Sequence, residues 1–176
     1  MGEIARTLVS LSGPDAVHGI IPDALIQFEQ DRQPDAASAS DRKPSAAALI
    51  NEKIYGRTTV VADMHARKQL MAKEVMEGGP GSGFVALSGG YGTMEELMEM
   101  TTWNQLGIHR CGVVVFNVDG YYDGLIQWVR TAVSSGFITP GNGGIVVEAL
   151  DAEEVVRQLR EYRVSKQRLN LDWSQK

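Results

Sequence analysis

Cysteine is almost absent from this 176-residue chain: Cys111 stands alone, so no internal disulfide can form. A reducing compartment is expected. Positive charge is in short supply too. Lys and Arg number 17 against 22 Asp and Glu, a formal net charge of −5. A sequence-independent nucleic-acid binder needs a broad basic surface, so nucleic acid is not an expected partner. A small anionic ligand held by a local site remains compatible. No apolar run approaches the roughly 18 residues of a membrane span. The start, Met1-Gly2-Glu3-Ile4-Ala5-Arg6, lacks the apolar stretch of a secretory signal. Arg6 stands where a myristoylation signal wants Ser or Thr. These absences predict a cytoplasmic protein without a membrane partner. His65 and His109 lie far apart and neither shows zinc-ligand spacing, so no metal site is expected. His18 falls in a strand pattern and reads as core or edge. No lysine sits in a motif suited to pyridoxal chemistry, and there is no internal repeat.

What is present is ordinary globular material, 43% hydrophobic and 22% charged. A chain this long suits one domain and buries roughly 70% of its unfolded surface. Short apolar runs alternate with helical patterns, which predicts an α/β fold. A helix is expected over 2–11, a strand over 16–21 closed by Pro22, and a short helix through Leu25 and Phe28. Residues 30–48 carry Pro34, Pro44 and many Ala without an apolar period, and read as a flexible surface loop. Further strands are expected over 58–62, 84–87, 113–116 and 145–147. Helices are expected over 64–77 behind Asp63 as cap, 93–106, 122–135, and from Asp151 to about Arg163. Parallel strands joined by right-handed crossovers make a Rossmann-like, doubly wound parallel sheet of about five strands. The domain is expected to span 1–164, followed by a polar tail, 165–176. Ligands of such sheets sit at the carboxyl ends of the strands.

Two motifs fall at those ends. Leu87-Ser88-Gly89-Gly90-Tyr91-Gly92-Thr93-Met94-Glu95-Glu96 follows a strand and opens a helix. Its glycines allow a tight turn and close approach, and helix-start N–H groups suit an anion such as phosphate. No Lys-Ser or Lys-Thr follows, so it is not a P-loop, and the dinucleotide spacing is missing. Glu96 has two readings. Thr93 through Glu96 fits a capping box. Alternatively, Glu96 is a carboxylate at the mouth of a site, holding ribose hydroxyls or a developing positive charge. The second motif is Asp63-Met64-His65-Ala66-Arg67-Lys68. Cations are poorly placed at a helix start, where the dipole is already positive. Arg67 and Lys68 are either a solvated pair or the partners of a bound anion. Cys111 reads as a small buried hydrophobe. Met94, Leu97, Met98 and Met100 near Trp103 read as core and interface packing. Tyr121 and Tyr122 read as packing at a helix start.

With Met64 to Lys68, Gly89 to Glu96 and Thr102-Trp103-Asn104-Gln105-Leu106-Gly107-Ile108-His109, the chain resembles the Lonely Guy family. These are cytokinin riboside 5′-monophosphate phosphoribohydrolases, long labelled lysine decarboxylases. Asn117 to Tyr122, Gly136-Phe137-Ile138 and Gly19-Ile20-Ile21-Pro22 are similar to the family as well. The resemblance covers nearly everything except the 30–48 loop and the tail. It implies a Rossmann-like fold, a homodimer, and neither metal nor organic cofactor. It implies cleavage of the N-glycosidic bond of a nucleoside 5′-monophosphate, of the isopentenyladenine type or AMP, giving free base and ribose 5-phosphate. By motif, Arg67 and Glu96 match the catalytic pair. Glu29, Lys68, Gly89, Gly90, Tyr91, Gly92, Thr93, Met94, Glu95 and Thr102 match substrate-contacting positions.

Two departures carry expectations of their own. Ser88 stands where the family usually has proline before the double glycine, which alters the stiffness of the turn. Met1-Gly2 resembles the segment just after the family's glycine cluster. The first two strands of the usual fold are therefore expected to be missing, an N-terminally shortened sheet. On that expectation, a catalytically impaired nucleotide-binding module or fragment of the same fold is the alternative to an active hydrolase.

Overall fold

In the computed structural model, residues 2–26, 50–169 and 171–173 are described. The 30–48 loop, Phe28 and Glu29 lie outside them. The chain divides into two compact units, Met1–Met71 and Ala72–Lys176.

In the first unit, helix α1 (Gly2–Ser12) precedes strand β1 (His18–Pro22). A short helix α2 (Glu52–Tyr55) leads into β2 (Arg57–Val61). The two strands pair in parallel, from His18 against Arg57 to Pro22 against Val61. The Asn51 side chain caps α2 by accepting from the Lys53 N–H at 3.2 Å. Gly56 joins α2 to β2 at φ 86°, and a Cβ there would lie 2.5 Å from the Val17 Cβ, so only glycine fits. His18 sits half-buried on β1, its Nε2 2.7 Å from the Thr59 Oγ1 across the pair. Helix α3 (Met64–Met76) follows β2. As expected, Asp63 caps it, its Oδ1 accepting from the Ala66 N–H at 2.8 Å.

The second unit holds β3 (Gly83–Ala86), β4 (Gly112–Phe116) and β5 (Val146–Ala149), parallel and in that spatial order. Helix α4 (Tyr91–Gln105) joins β3 to β4, α5 (Asp123–Ser134) joins β4 to β5, and α6 (Ala152–Glu161) follows. Val113, Val114 and Val115 are wholly buried, as a central parallel strand covered on both faces requires. One face, with Ala86, Val113, Val115 and Val146, packs on Leu97 and Tyr122, flanked by Met94, Met98, Leu125 and Ile126. Helix α6 packs on β4 and β5, with Leu159 against Gly83 and Gly112. Each buried valine contributes about 1.5–3 kcal/mol of hydrophobic stabilisation.

The five strands expected are thus present and parallel, in two ladders rather than one, a Rossmann-like α/β arrangement. Two local expectations change. Helix α4 begins two residues early. Cys111 is only half-buried, its Sγ 3.9 Å from the Val75 carbonyl oxygen, and burial pushes its thiol pKa up. Leu169 and Trp173 of the polar tail are bonded back onto their unit. The Leu169 N–H donates to the Gln105 carbonyl at 2.8 Å and the Trp173 Nε1 to the Leu106 carbonyl at 3.1 Å.

Candidate active site

The glycine motif lies at the carboxyl end of β3, as the topology demands. Gly90 is the N-cap of α4 in an extended conformation, φ −92° and ψ −151°, and no side chain caps this end. The first bond of the helix runs from the Met94 N–H to the Gly90 carbonyl at 3.1 Å. The N–H groups of Tyr91, Gly92 and Thr93 precede it, so they are the donors a helix start offers to a ligand. The capping-box reading is overturned here. Thr93 is the third helical residue rather than the cap, and Glu96 lies a turn too deep to reach back to the cap. Glycine is tolerated as N-cap, which lets the helix begin at Tyr91.

Gly89, Gly90 and Gly92 differ in what surrounds them. A Cβ on Gly89 would stand 2.2 Å from the Thr93 Oγ1, whereas a Cβ on Gly90 or Gly92 would meet nothing within 4 Å. Open space therefore lies over Gly90 and Gly92. Tyr91 is 97% exposed. Glu96 is half-buried and lies at i+4 from Gly92 and i+3 from Thr93, on the face they share. Helical side chains tilt toward the N-terminus, so Glu96 leans toward the first turn of α4 rather than away from it. Glu95 is exposed beside it. The Met94 side chain packs on the core. Thr102 is exposed further along α4, roughly 16 Å from Tyr91 along the axis.

A second loop frames this turn. After β4, Asn117 is 3% exposed and accepts from the Tyr122 N–H at 2.6 Å. Its Nδ2 donates to the Asp123 Oδ1 at 2.8 Å and to the Glu148 Oε1 at 2.5 Å. Asp119 adopts a left-handed φ of 51° in the same loop. The chain is thereby turned so that the Tyr121 hydroxyl donates to the Gly89 carbonyl at 2.6 Å. The Tyr122 hydroxyl donates to the Leu87 carbonyl at 2.5 Å. The two rings meet edge to face, 5.1 Å between centroids. Burial pushes the Tyr122 phenol pKa up, with Tyr121 adding to the shift, so the hydroxyl stays a donor. Sequence reasoning missed this role. Adjacent tyrosines in a similar family run were the only signal.

In the first unit, Arg67 and Lys68 lie at the start of α3, both half-buried. The Arg67 Nε donates to the Ile20 carbonyl of β1 at 3.1 Å. A cavity of about 610 Å³ in the same unit is lined by Ile4, Leu8, Val17, His18 and Tyr55, among others, and by none of the predicted site residues. Glu29 lies outside the described residues. Among the described residues, no cluster of His, Cys, Asp and Glu could hold a metal ion. No helix among them is long and apolar enough to cross a membrane.

A family model described as "Possible lysine decarboxylase" matches residues 1–159. A "Bifunctional cytokinin biosynthesis protein" of Fusarium pseudograminearum (strain CS3096) is 50% identical over 173 residues, 98% of this chain and 34% of that protein. A cytokinin riboside 5′-monophosphate phosphoribohydrolase of Arabidopsis thaliana is 50% identical over 113 residues, 64% of this chain and 49% of that protein. A probable cytokinin riboside 5′-monophosphate phosphoribohydrolase of Oryza sativa subsp. japonica is 40% identical over 167 residues, 95% of this chain and 62% of that protein. The chain thus spans from about a third to under two thirds of the length of these curated relatives. Matched over residues 1–159 and carrying both motifs in order, it belongs to the Lonely Guy family, whose model keeps the older lysine decarboxylase description.

Proposed function

We propose that this chain is a phosphoribohydrolase that cleaves the N-glycosidic bond of cytokinin riboside 5′-monophosphates, with AMP as a further candidate substrate. Water adds to C1′ of the ribose, the C1′–N bond breaks, and the base leaves with a proton. The products are free base and ribose 5-phosphate. The observation that carries this reading is the start of α4. No side chain caps its N–H groups, space is open over Gly90 and Gly92, and Glu96 stands one turn further in.

Each group has a task in that reaction. The N–H groups at the helix start and the glycine turn hold the phosphate and orient the ribose. The transition state gathers oxocarbenium-like charge at C1′, as in glycoside hydrolysis. The Glu96 carboxylate stabilises that charge and orients the water. Arg67, tied to Ile20, positions the nucleotide and helps the leaving base accept electrons. Lys68, Tyr91, Thr93, Glu95, Thr102 and Glu29 are proposed as further substrate contacts. The chain is also proposed to act in the cytoplasm as a homodimer. Met98 packs on the core and Met100 is buried, so these two methionines contribute inside the protomer.

Chromatography of free base tests the reading. The chain is incubated with isopentenyladenosine 5′-monophosphate, its riboside and AMP. Release from a monophosphate but not from the riboside is the expected result. A folded chain that releases no base overturns it.

A further inference from the structure

We propose that Tyr121 is a positioning residue for this reaction: its hydroxyl holds the Gly89–Gly90 peptide plane and so aims the Gly90 N–H. The inference rests on the hydrolase reading of the glycine turn.

The orientation of that plane is governed by ψ of Gly89 and φ of Gly90. Both are glycine torsions, the least restricted in the chain. Over Gly90 nothing lies within 4 Å of where a Cβ would stand, so sterics on that side do not fix the plane. The Tyr121 hydroxyl supplies the missing restraint, donating to the Gly89 carbonyl at 2.6 Å. A trans peptide is planar, with C=O and N–H pointing in opposite directions. Holding the carbonyl toward Tyr121 therefore turns the Gly90 N–H away from it. Tyr122 does the same two peptide planes earlier, through the Leu87 carbonyl, and turns the Ser88 N–H. Ser88 has an N–H and an unlocked φ, so the turn depends on external restraint more than a proline-stiffened one would.

The two tyrosines divide the work. Tyr122 is 2% exposed and part of the core, so its loss would disturb folding. Tyr121 is 54% exposed. Removing its hydroxyl leaves a carbonyl that water can reach, and the ring still meets Tyr122 edge to face. Tyr121→Phe thus separates aim from fold.

The experiment follows the Gly90 amide of the ¹⁵N-labelled chain during titration with ribose 5-phosphate, alongside kcat and KM for isopentenyladenosine 5′-monophosphate. Tyr121→Phe is expected to weaken ribose 5-phosphate binding about fivefold, the worth of one net hydrogen bond. KM should rise by a similar factor with kcat and Tm nearly unchanged. A merely structural role would instead lower Tm and the active fraction, reducing kcat at constant KM. Wild-type binding and KM in Tyr121→Phe overturn the proposal, as does a parent chain that does not bind ribose 5-phosphate. Failure of the hydrolase reading looks different: binding that depends on Tyr121, with no base released, keeps the clamp and removes the reaction.

Discussion

The Arg67 Nε donates to the Ile20 carbonyl oxygen at 3.1 Å, across 47 positions of the chain. One edge of the guanidinium is anchored to β1, and the Arg67 N–H is held by the Asp63 carbonyl at 3.1 Å. Lysine keeps the charge but has no planar fork to place one nitrogen on a carbonyl and the others elsewhere. Arg67→Lys is therefore expected to lower kcat by about 10- to 100-fold with the fold intact. Base release and circular dichroism check both halves. Unchanged kinetics would remove Arg67 from the reaction.

Glu96 is half-buried and does not cap α4, so its amide variant carries no capping penalty. Glu96→Gln should reduce kcat by roughly 10²–10⁴-fold, the usual worth of a positioned acid or base group. Thermal melting reports separately on the fold. Full turnover in this variant would remove the proposed role of Glu96.

Gly92 and Gly89 should part company under substitution. A Cβ at Gly92 enters open space, so Gly92→Val is expected to fold and to raise KM by about tenfold, blocking the approach of phosphate. A Cβ at Gly89 falls 2.2 Å from the Thr93 Oγ1, so Gly89→Ala should lower Tm. Adding Thr93→Ala should return part of that Tm. Equal melting of Gly89→Ala and the parent would contradict the packing described for the turn.

Buried His109 and half-buried Tyr162 each make the stability of the second unit depend on pH. Burial pushes the Tyr162 phenol from 10.0 up to about 12, against the lowering effect of its hydrogen bond with Asn104. A raised folded pKa gives stability that is whole below the unfolded value and lost as pH climbs through the folded one. Stability should therefore fall between about pH 10 and 12, and Tyr162→Phe should flatten that decline. Burial lowers the His109 pKa from 6.5, outweighing its bond to the Met100 carbonyl. The sign reverses on this side. The contribution is present above 6.5 and is lost as pH falls through the depressed value. Urea melts across pH measure both effects, with Tyr162→Phe alongside on the alkaline side.

The strands were readable because Gly112–Phe116 and its neighbours are short continuous apolar runs, the signature of a strand buried on both faces. Caps were readable where an oxygen-bearing side chain supplies them. Asp63 and Asp151 each accept from the N–H three residues on, at 2.8 and 2.7 Å. The start of α4 was misread because Thr93 to Glu96 imitates a capping box, while the true cap, Gly90, has no side chain to announce itself. The tyrosine clamp left no local trace. Its bonds join positions 32 and 35 residues apart.

The sequence by itself determined the alternation of strand and helix, and the two motifs behind Asp63 and Leu87. Those follow from periodicity, turn chemistry and charge, all of which act over a few residues. Only the tertiary structure decided that Gly90 opens α4, that Glu96 is released from a capping role, and that Tyr121 and Tyr122 hold the glycine turn. Each depends on where β3 and β4 end beside one another. A parallel ladder, with Ala86 opposite Val115, brings the loops after the two strands to the same edge. Hydrogen bonds between those loops follow from that register, which no short window of sequence contains.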